Sequence, residues 1–160
     1  MAETTRYSVI NDTVILLNYA ITLDYYLITK FIKMTNQQIT VVYSWKAKEG
    51  KSEELKSIYK DVEKQMLETE PGTLKVDCYF DESSNTLIVY DLFQDGAALG
   101  QHLGTTAAGH FGELLQIAIP GPFLFCGDVP EDLKQAAIGM GLNATFAPRI
   151  FGFERELAEQ

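Results

Sequence analysis

Between two stretches of helical periodicity, residues 73–93 alternate apolar and polar side chains on both sides of a short polar turn, and no other feature narrows the fold as much. Leu74, Val76, Cys78 and Phe80 alternate with Thr73, Lys75, Asp77 and Tyr79. Asp81 to Asn85 is turn chemistry. Strand character resumes from Thr86 to Phe93, and two runs joined so closely pair antiparallel. On the N-terminal side Leu55, Ile58, Tyr59, Val62, Met66 and Leu67 recur at helical spacing. Ser52 is placed to cap that helix, Glu53 and Glu54 sit at its positive dipole end, and Pro71-Gly72 ends it. Ile39 to Trp45 precedes it as a strand. On the C-terminal side Asp95 is a good cap for a short helix from Ala97 to Leu103. Gly104 is expected to break it, with Thr105 or Thr106 capping a second piece, Ala107 to Ile117. Pro120, Gly121 and Pro122 stop the helix, and Phe123 to Val129 reads as a fourth strand.

Residues 39 to 129 therefore read βαββαβ, the ferredoxin-like split βαβ unit of an α+β domain. Its helices cover one face of the sheet, and the other face needs a cover of its own. Val41, Tyr43, Leu87 and Val89 are assigned to that second face, where a second copy of the sheet is the economical partner. A homodimer is expected. Residues 130–160 form a C-terminal extension: a short helix after Pro130 reaching Gly139, then a strand within Ala144 to Phe153 that Pro148 demotes to an edge.

Residues 1–33 stand apart. Their apolar stretch, Val14 to Ile32, is interrupted by Asn18, Asp24 and Lys30, so it does not suit a membrane span. Neither a basic n-region nor a cleavage site marks a secretory signal. Tyr19, Tyr25, Tyr26 and the β-branched residues favour strand. Met34 is an alternative start, which makes residues 34–129 the domain proper; otherwise the first 33 residues are read as an extra strand or a partner-covering arm. The net charge of −9 disfavours nucleic acid and anionic membrane surfaces. Cys78 and Cys126 lie far apart inside apolar runs, with neither disulfide nor zinc spacing. Both are read as buried small hydrophobes, in keeping with a reducing cytoplasm.

Four motifs in this stretch are familiar: Glu70-Pro71-Gly72, Asp91-Leu92-Phe93, the helix start Ala98-Leu99-Gly100-Gln101-His102-Leu103, and His110-Phe111. Together they resemble the antibiotic biosynthesis monooxygenase family, which includes quinol monooxygenases. The resemblance implies a dimeric α+β barrel with a pocket between sheet and helices. It also implies oxidation of a phenol, anthrone or quinol by molecular oxygen, with no metal and no flavin cofactor. Two positions depart from the family pattern, Asp91 and Phe93 standing for its usual Glu and Trp. Heme-degrading relatives look to need that Trp, so heme breakdown is not expected.

Oxygenation without a cofactor needs a base, a donor for the developing oxyanion and a dry pocket. His102 occupies the family's histidine position and is the first candidate for base or substrate anchor. Asp91 is an acid in an apolar strand, and burial there would raise its pKa into a usable range. Tyr43, Tyr79, Tyr90, Phe93 and His110 are the candidate substrate-binding residues, and Trp45 is a further candidate wall. Each has a plainer alternative: helix capping for His102, a strand-end ion pair for Asp91, and core or interface packing for the aromatics. Two rival functions follow from those alternatives. One is a non-enzymatic dimer that holds a small hydrophobic ligand or acts in stress protection. The other is an oligomerisation module.

Overall fold

The computed structural model describes residues 21–27 and 37–153, and the chain divides into two compact units, 1–35 and 36–160. In the first unit residues 21–27 are helical, where a strand was expected from Tyr25, Tyr26 and the β-branched residues. β-propensity mostly expresses packing on a pleated surface and does not by itself hold a segment extended. The expectations for Tyr19, Met34 and residues 154–160 lie outside the described residues. Among the described residues no helix is long and apolar enough to cross a membrane.

In the second unit β1 (Ile39–Ala47) is the spine of the sheet. Ile39, Val41, Tyr43, Trp45 and Ala47 are buried and their alternates are not, the period-two signature of a strand packed on one side. α1 (Ser52–Thr69) lays Leu55, Tyr59, Val62 and Met66 on that side. β2 (Thr73–Asp81) and β3 (Thr86–Phe93) form the expected hairpin. β3 also pairs β1 antiparallel, with Val41 opposite Asp91 and Tyr43 opposite Val89. The Asp81 carboxylate accepts bonds from the Ser83 amide and from the Ser83 and Ser84 hydroxyls, which fixes the turn.

α2 (Gly96–His102) begins at Asp95, whose side chain accepts from the Ala98 amide at 2.9 Å as expected of a cap. The helix does not break at Gly104. Leu103–Ala107 is a π-helical turn that runs directly into α3 (Ala108–Ile117). A wide turn keeps the backbone bonded past a glycine, so no new cap is needed. The two threonines act elsewhere: Thr105 donates back to the Gln101 carbonyl and Thr106 to Glu70. Ser52 likewise does not cap α1; its hydroxyl donates to Asn85 Oδ1 at 3.0 Å.

The Pro120-Gly121-Pro122 run does more than stop a helix. β4 (Ala118–Pro120) and β5 (Phe123–Cys126) both pair antiparallel with β1, at its two ends. α4 (Glu131–Gly139) then crosses over to β6 (Ala144–Ala147), which pairs parallel with β5. β6 is the edge strand and stops one residue before Pro148, as the proline demands. The sheet order is β2-β3-β1-β5-β6, with β4 also beside β1.

The helices cover one face of this sheet, and Val41, Tyr43, Leu87 and Val89 are buried beneath them. That corrects the sequence reading, which put these four on the face in need of cover. The face left uncovered among the described residues carries the opposite parity: Val42, Ile88, Tyr90, Leu92 and Leu124, with Ile88 41% and Leu124 39% exposed. One residue of offset exchanges the two faces. Cys78 is also corrected: it is exposed on the edge strand β2, while Cys126 is half-buried, and both are free thiols.

Candidate active site

A cavity of about 50 Å³ lies under the helices. Val41, Tyr43 and Trp45 of β1 and Asp91 and Phe93 of β3 form its floor, Tyr59 and Val62 of α1 one wall. His102, the π turn, His110 and Phe111 form the other, and Met140 and Leu142 beyond α4 also line it. The C-terminal extension, expected to pack on the domain or the dimer, thus contributes wall residues to the cavity.

Asp91 is 1% exposed. Burial pushes its carboxyl up to about 6, against the opposing pull of nearby His102 and a hydrogen bond with Tyr43. Its Oδ1 has no hydrogen-bond partner. The Tyr43 hydroxyl lies beside Asp91 and Tyr59, and burial together with the Asp91 charge holds it well above the ordinary phenol range. The indole N–H of Trp45, on the same floor, also lacks a partner of normal geometry. Phe111 and Phe123 hold the Trp45 ring edge-on at 5.8 and 6.2 Å.

His102 is buried beside Phe93, with ring centroids 5.2 Å apart. Its Nδ1 meets Glu70 Oε2 at 3.1 Å. Burial pushes the Glu70 carboxyl up, but hydrogen bonds with His102, Thr106 and Thr73 outweigh it and hold the group below its ordinary value. Gly72 makes this meeting possible: a Cβ there would stand 2.6 Å from Ala98 Cβ, so only glycine lets α2 sit against the end of α1. His110 lines the same cavity. It is turned toward the surface, with Nδ1 against Glu113 and Nε2 3.1 Å from Gln65 Oε1.

Asp91, His102, Tyr43, Phe93, His110 and Trp45 all line this cavity. Tyr79 and Tyr90 do not. Tyr79 stands opposite Ile88 and Tyr90 opposite Val42, on the uncovered face, and Tyr79 is 58% exposed. With Asp91 and Phe93 pointing in, pleat parity sends Tyr90 out. Glu70, Thr106 and Tyr59 are the residues that sequence reasoning missed. One signal was present for Glu70: an acid at the C-terminal end of a helix opposes the dipole and asks for another partner.

Residues 38–114 match the family model of antibiotic biosynthesis monooxygenases. The domain belongs to that family. Solved structures agree on the fold. MupZ from Pseudomonas fluorescens, 18% identical, has a TM-score of 0.62 over 75% of this chain and 96% of its own. A conserved protein from Methanosarcina mazei Go1, 18% identical, scores 0.52 over 59% of this chain and 95% of its own. A candidate antibiotic biosynthesis monooxygenase from Caulobacter crescentus CB15, 20% identical, scores 0.53 over 59% and 92%. No curated protein matches the chain. In this antibiotic biosynthesis monooxygenase domain the four sequence motifs all border one site. The Glu-Pro-Gly turn brings the carboxylate, Asp91 and Phe93 the floor, and the two histidines part of a wall.

Proposed function

We propose that the chain oxygenates a small electron-rich aromatic of quinol, phenol or anthrone type with molecular oxygen, and that it needs no metal or flavin. One observation carries the reading: a fully buried carboxylate, Asp91, lines an aromatic cavity with one oxygen unpartnered, and burial pushes it up to about 6. A base works best when its pKa lies near the working pH, and a buried acceptor without a partner is poised to receive a donor.

In this reading a substrate hydroxyl donates to His102, and Asp91 takes the acidic proton. For an anthrone-type CH2 the resulting anion passes one electron to oxygen. The radical pair then joins in a C–O bond. Asp91 returns its proton to the peroxide, and loss of the second C–H proton with cleavage of the O–O bond leaves a carbonyl and water. The sum is CH2 plus O2 giving C=O plus H2O. The Trp45 ring borders the cavity, and its N–H, near the Tyr59 hydroxyl but without a bond of normal geometry, is the proposed donor for a second substrate oxygen. The cavity is far below the roughly 150 Å³ that accepts benzene. Binding must therefore move lining residues, among them the π turn and Met140.

A second copy of the chain is proposed as the cover of the open sheet face. Oxygen uptake by purified protein against hydroquinones, anthrones and naphthols tests the activity. Protein-dependent uptake that Asp91→Asn and His102→Ala abolish is the expected result. No uptake across the panel, together with an apolar ligand that copurifies and is not turned over, moves the function to ligand binding.

A further inference from the structure

We infer that Glu70 is a positioning residue: it holds His102 as the Nδ1–H tautomer, so that Nε2, carrying the lone pair, is the nitrogen offered to the substrate hydroxyl. The inference rests on the reading of His102 as substrate anchor, but its structural half is measurable without any substrate.

Glu70 immediately follows α1 and is 2% exposed. A carboxylate so deeply buried needs donors on its oxygens. Three lie close to it, and the Thr105 hydroxyl is a fourth at 3.5 Å. Thr73 Oγ1 donates to Oε2 at 3.0 Å, Thr106 Oγ1 to Oε1, and His102 Nδ1 lies 3.1 Å from Oε2. Those bonds stabilise the charged form, consistent with the lowered pKa of the group. An ionised carboxylate only accepts, so the proton of the third contact belongs to His102 Nδ1. In a neutral imidazole that leaves the lone pair on Nε2.

The supporting shell is built for this contact. Thr106 is fully buried within the π turn, and its hydroxyl is spent on Glu70 where capping chemistry was expected. Gln101 Nε2 donates to the Thr69 carbonyl at 2.9 Å, tying α2 to the end of α1 beside the pair. π turns concentrate at functional sites. An acid that orients one imidazole nitrogen while the other faces substrate is the logic shared by catalytic triads and metal-bound histidines. In the opposite tautomer an N–H would face the cavity, and a substrate hydroxyl could no longer donate to it.

Long-range proton–nitrogen NMR on nitrogen-15 protein at mildly alkaline pH reads the tautomer directly, with His102→Asn assigning the signals. The expected spectrum has His102 protonated at Nδ1 and bare at Nε2. Glu70→Gln, which keeps shape but can present an amide N–H, is expected to mix the tautomers. It should also lower kcat about 10–100-fold, the usual cost of losing such an orienting partner. A wild-type His102 protonated at Nε2 overturns the inference, and that spectrum decides even if the variant does not fold. A Glu70→Gln protein with an unmixed Nδ1–H signal and unchanged kcat overturns it too. Failure of the wild type to consume oxygen sinks the oxygenase reading alone, because the tautomer is read without turnover.

Discussion

Asp91 shows how much one side chain can reveal about a site. It sits at a strand position whose neighbours of the same parity, Val89 and Phe93, are buried core, so its carboxyl is committed to the interior. The fold binds that proton more tightly than the unfolded chain does, since the pKa rises from 3.8 to about 6. Between those values the native state holds more protons than the unfolded state, so stability falls as pH rises through the window. The loss is about 3 kcal/mol at about 1.4 kcal/mol per unit, complete above the folded pKa. Asp91→Asn should abolish it. Urea denaturation of both proteins at pH 4 and 7 should show the variant gaining about 2.4 kcal/mol on the wild type at the higher pH. The same ionisation sets the proposed rate, which should climb through pH 6 in the wild type and be lost in the variant; a pH profile of oxygen uptake checks this. Asp91, Phe93 and His102 were legible in the sequence because an acid in an apolar strand and a histidine in a familiar helix start both stand out. Tyr79 and Tyr90 misled because an aromatic in a strand suits either face, and only the register decides between them. Glu70 was hidden because its partners lie 32 and 36 residues away in the chain.

Elements were read more easily than the joints between them. β1, α1 and the hairpin emerged near their observed bounds because each has a long, clean period and a polar or Pro-Gly stop. The π turn was not legible: Gly-Thr-Thr resembles a break and a cap, but the two threonine hydroxyls bond Gln101 and Glu70 and cap nothing. β4 was hidden by its proline, which it tolerates because the strand is only three residues long and ends at Pro120. The joint that matters most to the site is the contact of Gly72 with Ala98. Gly72→Ala places a Cβ 2.6 Å from Ala98 Cβ, and α2 must move to accommodate it. The expected cost is about 1–3 kcal/mol, the range for overpacking, measurable by urea denaturation. Because α2 carries His102, the same shift should weaken its bond to Glu70. A companion Ala98→Gly should restore much of both, whereas unchanged stability in Gly72→Ala would show that the contact relaxes without moving the helix.

At the scale of the whole molecule, the described residues cover one side of the sheet and leave the other without a layer. The helical side is closed over a core that buries Trp45, Phe93 and Phe125 completely or nearly so. The opposite side presents Val42, Ile88, Tyr90, Leu92 and Leu124 across β1, β3 and β5, bordered by the Lys75–Asp77 pair. A contiguous apolar patch framed by charge is the usual form of a protein–protein interface. A stable dimer needs about 800 Å² from each partner, within the reach of a sheet face of this width. A twofold axis lets the same patch serve both copies. Sedimentation of the wild type as a dimer is the expected outcome. Ile88→Asp with Leu124→Asp should yield a monomer with unchanged far-ultraviolet circular dichroism, because neither side chain enters the core. Since the cavity lies on the far side of the sheet, the monomer should keep the His102 tautomer set by Glu70, so the interface and the site can be separated experimentally. A doubly substituted protein that still sediments as a dimer would place the interface elsewhere, and the apolar face would then need a different cover.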